Sequence, residues 1–172
     1  MKYFIPGLIV GIVLLPAAVF LYIWLGYMPI GTAAPPLPFE QRLAAMALQA
    51  RLEKEAPKES PVPLTEPNLL AGAETYRQQC AVCHGTASGP ETAIGKGMFP
   101  PPPQLFQGEG VTDDPVGYTF WKAANGIRLT GMPSFRGSLT DEQLWQVSQL
   151  LANADKLPQS VKDLMARPLS PP

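Results

Sequence analysis

Histidine and cysteine are scarce in this chain. Its 172 residues include one histidine and two cysteines, and all three lie in the pentapeptide Cys80-Ala81-Val82-Cys83-His84. A structural zinc ion takes four ligands, mostly Cys and His, so zinc would need carboxylates to complete its shell here. A thioredoxin-like Cys-x-x-Cys would need a surrounding βαβ pattern, which the sequence does not show. A disulfide between Cys80 and Cys83 would close a very short loop and add little stability.

Charged side chains are missing from the start of the chain. Lys2 is the only one before Glu40, and the stretch from Phe4 to Met28 has none. At about 1.5 Å per residue, a helix over this stretch would reach roughly 37 Å, enough to cross about 30 Å of hydrocarbon. A cleaved signal peptide is the alternative, but its apolar core is usually only about 7–15 residues long. We therefore expect residues 1–29 to be an uncleaved transmembrane anchor, with Lys2 favouring a cytoplasmic amino terminus.

Proline is concentrated in the segment that follows the anchor. We interpret residues 30–67 as a Pro-rich connector, which would be extended and semi-rigid. Inside it a helix is predicted from Phe39 to Ala56, because apolar side chains recur there at helical spacing. That predicted apolar face consists of Leu43, Met46, Ala47 and Ala50. Two interpretations stay open for this helix: a solvated spacer, or a docking helix on a partner subunit.

Residues 68–172 contain helical patterns, irregular stretches and no convincing strand, so the predicted fold class is all-α. The expected helices run from Leu69 to Val82, from Pro115 to Ala124, from the box Thr140-Asp141-Glu142-Gln143 onward, and from Ser160 to Ala166. The Gly- and Pro-rich stretch 85–110 should be irregular. Asn68 and Asp114 are candidate helix caps, the Thr140 box has the S/T-x-x-E/Q capping pattern, and Asn125-Gly126 is a stop signal.

The pentapeptide Cys80–His84 points to covalently attached haem. Cys-x-x-Cys-His is the attachment signature of c-type haem. Two thiols three residues apart on a helical turn can each add across a vinyl group of the porphyrin. The histidine that follows can then supply an imidazole nitrogen to the iron. We therefore predict one covalent haem c, attached through Cys80 and Cys83, with His84 as an axial ligand.

A single histidine leaves the other axial position of the iron to a different residue type. The methionine candidates are Met46, Met98, Met132 and Met165. Met132 is the strongest, because Gly131 and Pro133 restrict the backbone around it and pre-organise a flexible thioether. We expect Met132 to be the second axial ligand.

In combination, these motifs resemble the class I c-type cytochromes. The resemblance rests on Cys80–His84, on Gly72 and Tyr76 before it, on Asn125-Gly126-Ile127 leading to Gly131-Met132-Pro133, and on Leu144-Trp145. It covers about residues 68–157 and implies an all-helical cytochrome c fold around one edge-exposed haem. In that family the first and last helices cross near a glycine and an aromatic residue. Gly72 and Tyr76 match the first helix, whereas Leu150 stands where the last helix often has an aromatic.

The resemblance also implies residues around the haem. The run Met98-Phe99-Pro100-Pro101-Pro102-Pro103-Gln104-Leu105 is similar to the proline segment that packs on the histidine side, where a carbonyl accepts a hydrogen bond from the ligand's other ring nitrogen. Pro101 or Pro102 is our expectation for that carbonyl; the alternative is a plain loop. Trp121, Lys122 and Arg128 are candidates for contact with the haem propionates, against ordinary core packing for Trp121 and solvent exposure for Arg128.

The function indicated is outer-sphere transfer of single electrons by a membrane-anchored, mono-haem cytochrome, rather than enzymatic catalysis. We expect a bacterial inner-membrane protein with its haem domain on the periplasmic side. It would be a fixed subunit of a multi-subunit redox complex, or a tethered shuttle between a quinol-oxidising complex and a terminal oxidase. Neither a small-molecule substrate nor nucleic acid is expected, and the formal net charge is −1. The alternatives are a haem enzyme or gas sensor with an open sixth position, and a structural haem subunit.

Overall fold

The structure of the protein is a computed structural model that describes residues 3–108 and 110–169. Lys2, on which the expected membrane orientation rests, lies outside the described residues. All regular elements in the described ranges are helical, so the expectation of an all-α fold is confirmed. The helices are α1 (Phe4–Trp24), α2 (Glu40–Glu55), α3 (Glu66–Thr75), α4 (Ala81–His84), α5 (Ala93–Lys96), α6 (Val116–Asn125), α7 (Asp141–Ala152) and α8 (Gln159–Ala166).

The chain divides into two compact units, Met1–Gln41 and Arg42–Pro172. The first unit contains α1, a helix of 21 residues with no buried side chain and with Pro16 inside it. At about 1.5 Å per residue, α1 is roughly 32 Å long, which matches the hydrocarbon thickness of a bilayer. Among the residues that the structure describes, α1 is the one helix long and apolar enough to cross a membrane.

The second unit begins inside the segment that the sequence assigns to the connector. The expected boundary lies at 67/68, whereas the chain from Arg42 onward belongs to the helical unit. The difference arises because α2 packs through a face that the sequence analysis did not select. Leu52 is only 2% exposed, while Leu43 and Met46 of the predicted face are 62% and 61% exposed.

The core of the second unit is built on the crossing of α3 and α7. Gly72 lies at this crossing, where a Cβ would overlap the backbone carbonyl of Gln146. Only glycine lets the two backbones come this close. Tyr76 and Leu150 are fully buried in the same hydrophobic cluster, so the α7 side of this core is aliphatic at Leu150. This agrees with the crossing that the family resemblance implies.

The helix ends agree with the sequence in part. The Thr140 hydroxyl accepts a hydrogen bond from the backbone N–H of Gln143, and the Gln143 side-chain oxygen accepts one from the backbone N–H of Thr140. The predicted capping box therefore forms. The cap of α3 is Thr65 rather than Asn68, because Pro67 is tolerated inside the first turn and the helix starts earlier. Asp114 does not cap α6; its carboxylate pairs with Lys122 at 3.1 Å.

Candidate haem site

The attachment pentapeptide follows directly on the helix of the core crossing. After α3 the chain widens into a π-helical turn, Tyr76–Cys80, which continues into the short helix α4 ending at His84. The buried Tyr76 hydroxyl donates a hydrogen bond to the Gly85 carbonyl at 2.8 Å. Gly85 has φ +77° and ψ 179°, a conformation open almost only to glycine. The core thus fixes both ends of the segment that carries the two cysteines and the histidine.

The environment of Cys80 favours the neutral thiol. Burial raises the pKa of this thiol to about 12, and the nearby Cys83 adds to the increase. Cys80 and Cys83 are both half-buried free thiols in the structure.

The His84 ring is oriented by a backbone carbonyl. Its Nδ1 atom lies 2.8 Å from the Pro103 oxygen, and a carbonyl can only accept, so Nδ1 carries the hydrogen. Burial lowers the pKa of His84, and the bond to Pro103 partly opposes that shift. The arrangement leaves Nε2 unprotonated and available to a metal.

The accepting carbonyl belongs to Pro103, which corrects the expectation of Pro101 or Pro102. The sequence could not show this, because nothing distinguishes one carbonyl from the next in a run of four prolines. Pro101 and Pro102 do line the cavity beside His84.

Met132 lies in a loop that is hydrogen-bonded to the end of α6. The Met132 amide bonds to the Thr130 hydroxyl at 3.1 Å, and its carbonyl accepts from the Ile127 amide at 3.2 Å. Beyond it, the Phe135 amide donates to the Ala123 carbonyl at 3.0 Å. These hydrogen bonds, in addition to Pro133, hold the backbone of Met132 in place and thereby set the point from which its thioether extends.

Cys80, Cys83, His84 and Met132 all line one cavity of about 320 Å³. This volume is within the usual range of ligand sites, about 300–1,000 Å³. The lining is mostly apolar and comes from the proline run, from the loop that carries Met132, and from α6 and α7. It includes Pro100, Leu105, Ala123, Ile127, Phe135, Val147 and Leu151. A flat, largely apolar porphyrin fits these walls, and the thiols, imidazole and thioether that would hold it face the same space.

The other candidate methionines lie in different places. Met98 also lines the cavity, and its side chain packs against Gly131, next to Met132. Met46 is 61% exposed on α2, and Met165 is buried in the core cluster beside Val161. The structure therefore leaves two methionines, Met98 and Met132, beside the predicted metal ligand His84.

The three residues expected at the propionates are separated in the structure. Lys122 lines the cavity and pairs with Asp114. Trp121 does not line the cavity. Its indole N–H donates to the Glu55 carboxylate of α2 at 3.3 Å. Arg128 is exposed and is not among the lining residues.

Leu48 is a lining residue that the sequence analysis missed. It lies on α2, inside the predicted connector. The spacing of Leu48 and Leu52, four residues apart on one helical face, was the signal that could have revealed it.

The fold and this cavity together define a c-type cytochrome domain. The comparison with protein families agrees: residues 67–151 match the family model described as cytochrome c oxidase, cbb3-type, subunit III, so this part of the chain is a c-type cytochrome domain. The cofactor of such a domain is covalent haem c, and Cys80 and Cys83 have the spacing that it requires.

The comparison with solved structures finds a chain of a reducing HAO-like protein complex of Kuenenia stuttgartiensis. The two chains are 22% identical with a TM-score of 0.44, over 69% of this chain and 61% of that one. This protein therefore spans about three fifths of the length of that relative. No curated protein matches this chain.

Proposed function

We propose that this protein is a membrane-anchored, mono-haem cytochrome that passes single electrons by outer-sphere transfer. The observation that carries the proposal is the shared cavity, which brings the free Nε2 of His84 and the Met132 thioether to one apolar site. His84 and Met132 would both hold the iron of a bound haem, which would leave no position there for a substrate. Histidine–methionine ligation also raises the reduction potential relative to other ligand sets.

The residues of the chain have separate tasks in this mechanism. Cys80 and Cys83 would hold the haem covalently, and the haem supplies the one-electron couple. The Pro103 carbonyl keeps His84 in one tautomer and one orientation. The hydrogen bonds of the Met132 loop would hold the thioether toward the iron of a bound haem. The apolar walls of the cavity would exclude water, so little would have to rearrange when the charge of the haem changes.

The anchor and its linker bear on how the protein meets its partners. The segment between α1 and α2 comprises residues 25–39, which could span at most roughly 54 Å when fully extended. A tether of this length restricts the haem unit to partners held close to the same membrane. We therefore favour a fixed subunit of a multi-subunit redox complex over a long-range shuttle between a quinol-oxidising complex and a terminal oxidase.

The anchoring and its side are part of the same proposal. Helix α1 supports a single pass through the bacterial inner membrane. Haem attachment through Cys-x-x-Cys-His in bacteria takes place outside the cytoplasm. We therefore place the amino terminus in the cytoplasm and the haem unit on the periplasmic side.

Carbon monoxide binding to the full-length, haem-loaded protein in detergent tests the proposal against a haem enzyme or gas sensor. We expect a low-spin ferric spectrum and a ferrous form that does not bind carbon monoxide at neutral pH. High-spin ferric iron together with ready formation of a carbon monoxide adduct would contradict the electron-carrier assignment and favour the alternative.

A further inference from the structure

Residues 42–62, which we call the strap, precede the family match at residue 67 but belong to the haem unit. The strap consists of most of α2 and the segment that follows it. Its contacts distinguish it from a spacer, and they occur from Leu48 to Val62.

Helix α2 is held at its carboxyl end, where it meets α6, and one of its side chains is buried. Leu52 is 2% exposed, and the Glu55 carboxylate accepts the Trp121 indole N–H at 3.3 Å. Beyond the helix, the Pro57 carbonyl lies so close to Gly117 that a Cβ there would overlap it. The strap and α6 therefore pack backbone to backbone, a contact that needs a glycine on α6.

The end of the strap is bound to the core helix α7. The Gln149 side chain is 94% buried, since its exposure is 6%. Its Nε2 atom donates to the Val62 carbonyl at 2.6 Å and to the Ser60 hydroxyl at 3.0 Å. A buried amide that lost these acceptors would be left without hydrogen-bond partners, which is destabilising, so the strap is held where it is.

Leu48 lies one helical turn before Leu52 on α2 and lines the haem cavity. Thr119, Lys122 and Ala123 of α6 line the same cavity. We propose that the strap is a wall of the haem site, and that Leu48 keeps water away from the haem and thereby keeps its reduction potential high.

The expected direction follows from the charges of the two oxidation states. The ferric haem carries one more positive charge than the ferrous haem, and an apolar, water-excluding wall disfavours the more highly charged form. Burial of this kind is one of the means by which a protein sets the potential of a haem. If water is admitted at Leu48, the ferric form should be stabilised relative to the ferrous form, and the reduction potential should fall. The inference rests on the haem site of the proposed function, but not on the membrane anchor.

Three variants of the full-length, haem-loaded protein test this inference. Leu48→Ser puts a short polar side chain in the wall, and Leu48→Ala shortens the wall without a new polar group. Leu43→Ser is the matched control, because it makes the same change on the same helix at a side chain that is 62% exposed. The measurement is a redox titration, accompanied by absorption spectra that report the ligation of the iron.

We expect Leu48→Ser to shift the ferric/ferrous equilibrium about three- to tenfold toward ferric haem, a lowering of the potential of at most about 59 mV. Leu48→Ala should shift it less, and Leu43→Ser should leave it unchanged. The spectra should stay those of the wild type, so a failure of the strap proposal is distinguishable from a failure of the proposed axial ligation. Equal potentials for Leu43→Ser and both Leu48 variants would overturn the proposal. If Leu48→Ser does not retain haem, Leu48→Ala decides.

Discussion

At the scale of single residues, the site depends on hydrogen bonds and close contacts that hold the predicted ligands. Pro103 orients His84, Tyr76 fixes the end of α4, and Gly126 lets the Met132 loop approach α6. None of these three residues is itself a predicted ligand. Substituting them should therefore change stability or ligand strength without removing the means of attaching haem.

Gly126 provides a sharp test of the Met132 loop. It has φ +69° and ψ 179°, and a Cβ would lie 2.7 Å from the Ser134 nitrogen. Backbone strain in this region costs about 1–3 kcal/mol, and the close contact adds to it. We expect Gly126→Ala to lower the thermal midpoint and to let added imidazole compete more readily for the iron. Gly137→Ala is the control, because a Cβ there meets nothing within 4 Å. Equal imidazole affinities in the two variants would count against the role of Gly126.

Tyr76 tests the connection between the core and the attachment segment. Tyr76→Phe removes the hydroxyl that donates to the Gly85 carbonyl and leaves that carbonyl buried. We expect the free energy of unfolding to fall by about 1–3 kcal/mol, measured by denaturant titration of the haem-loaded protein. The same change at the half-buried Tyr118 of α6 should cost less, because water reaches that position more easily. Equal losses of unfolding free energy in the two variants would show that the buried hydrogen bond of Tyr76 does not stabilise the attachment segment.

At the scale of helices, the crossing of α3 and α7 organises the haem unit. Gly72→Ala would place a methyl group on the Gln146 carbonyl, so the helices must move apart. Overpacking of this kind costs about 1–3 kcal/mol, and backbone can give way less easily than a side chain. We expect a clear loss of thermal stability and of haem-loaded yield. Gly97→Ala is the control, because its nearest neighbour would be at an ordinary 3.5 Å. If Gly72→Ala were as stable as the wild type, the close approach of α3 and α7 at Gly72 would be contradicted.

The sequence predicts the helices well where local signals determine them. The Thr140 capping box and the stop at Gly126 are local chemistry, and both form. Local signals do not predict an outcome that depends on packing. The spacing on α2 predicts an apolar face at Leu43 and Met46, but these side chains are exposed and Leu52 is buried, because composition cannot show which of two apolar stripes is covered. Among four prolines, it could not select the carbonyl at Pro103.

At the scale of the whole molecule, the position of the boundary between tether and haem unit is the main revision. A chain that begins at Arg42 keeps the strap, whereas one that begins at Asn68 loses it. Exposing the surface that Leu52 covers costs about 1.5–3 kcal/mol by itself, and the Gln149 side chain also loses its acceptors. We expect both chains to be soluble when haem-loaded, with the shorter one at least about 2 kcal/mol less stable to denaturant. Equal unfolding free energies for the two chains would favour a boundary between tether and haem unit at 67/68.

Membrane attachment is a second property of the whole molecule. We expect the full-length chain to stay with the membrane pellet after an alkaline carbonate wash, since α1 would be embedded in the bilayer. The chain that begins at Arg42 is the control and should remain in the supernatant. Release of the full-length protein by the wash would show that α1 does not anchor it.

The most direct test of the account compares two methionine variants of the full-length, haem-loaded protein. Met98 and Met132 both line the cavity beside His84, so they are matched candidates for the second axial position. The measurement is the methionine–iron charge-transfer band of the ferric protein. We predict that the wild type and Met98→Ala show the band, and that Met132→Ala loses it and binds carbon monoxide when reduced. A band that persists in Met132→Ala, or that is absent from the wild type, would contradict the closed His84–Met132 site on which the electron-transfer function rests.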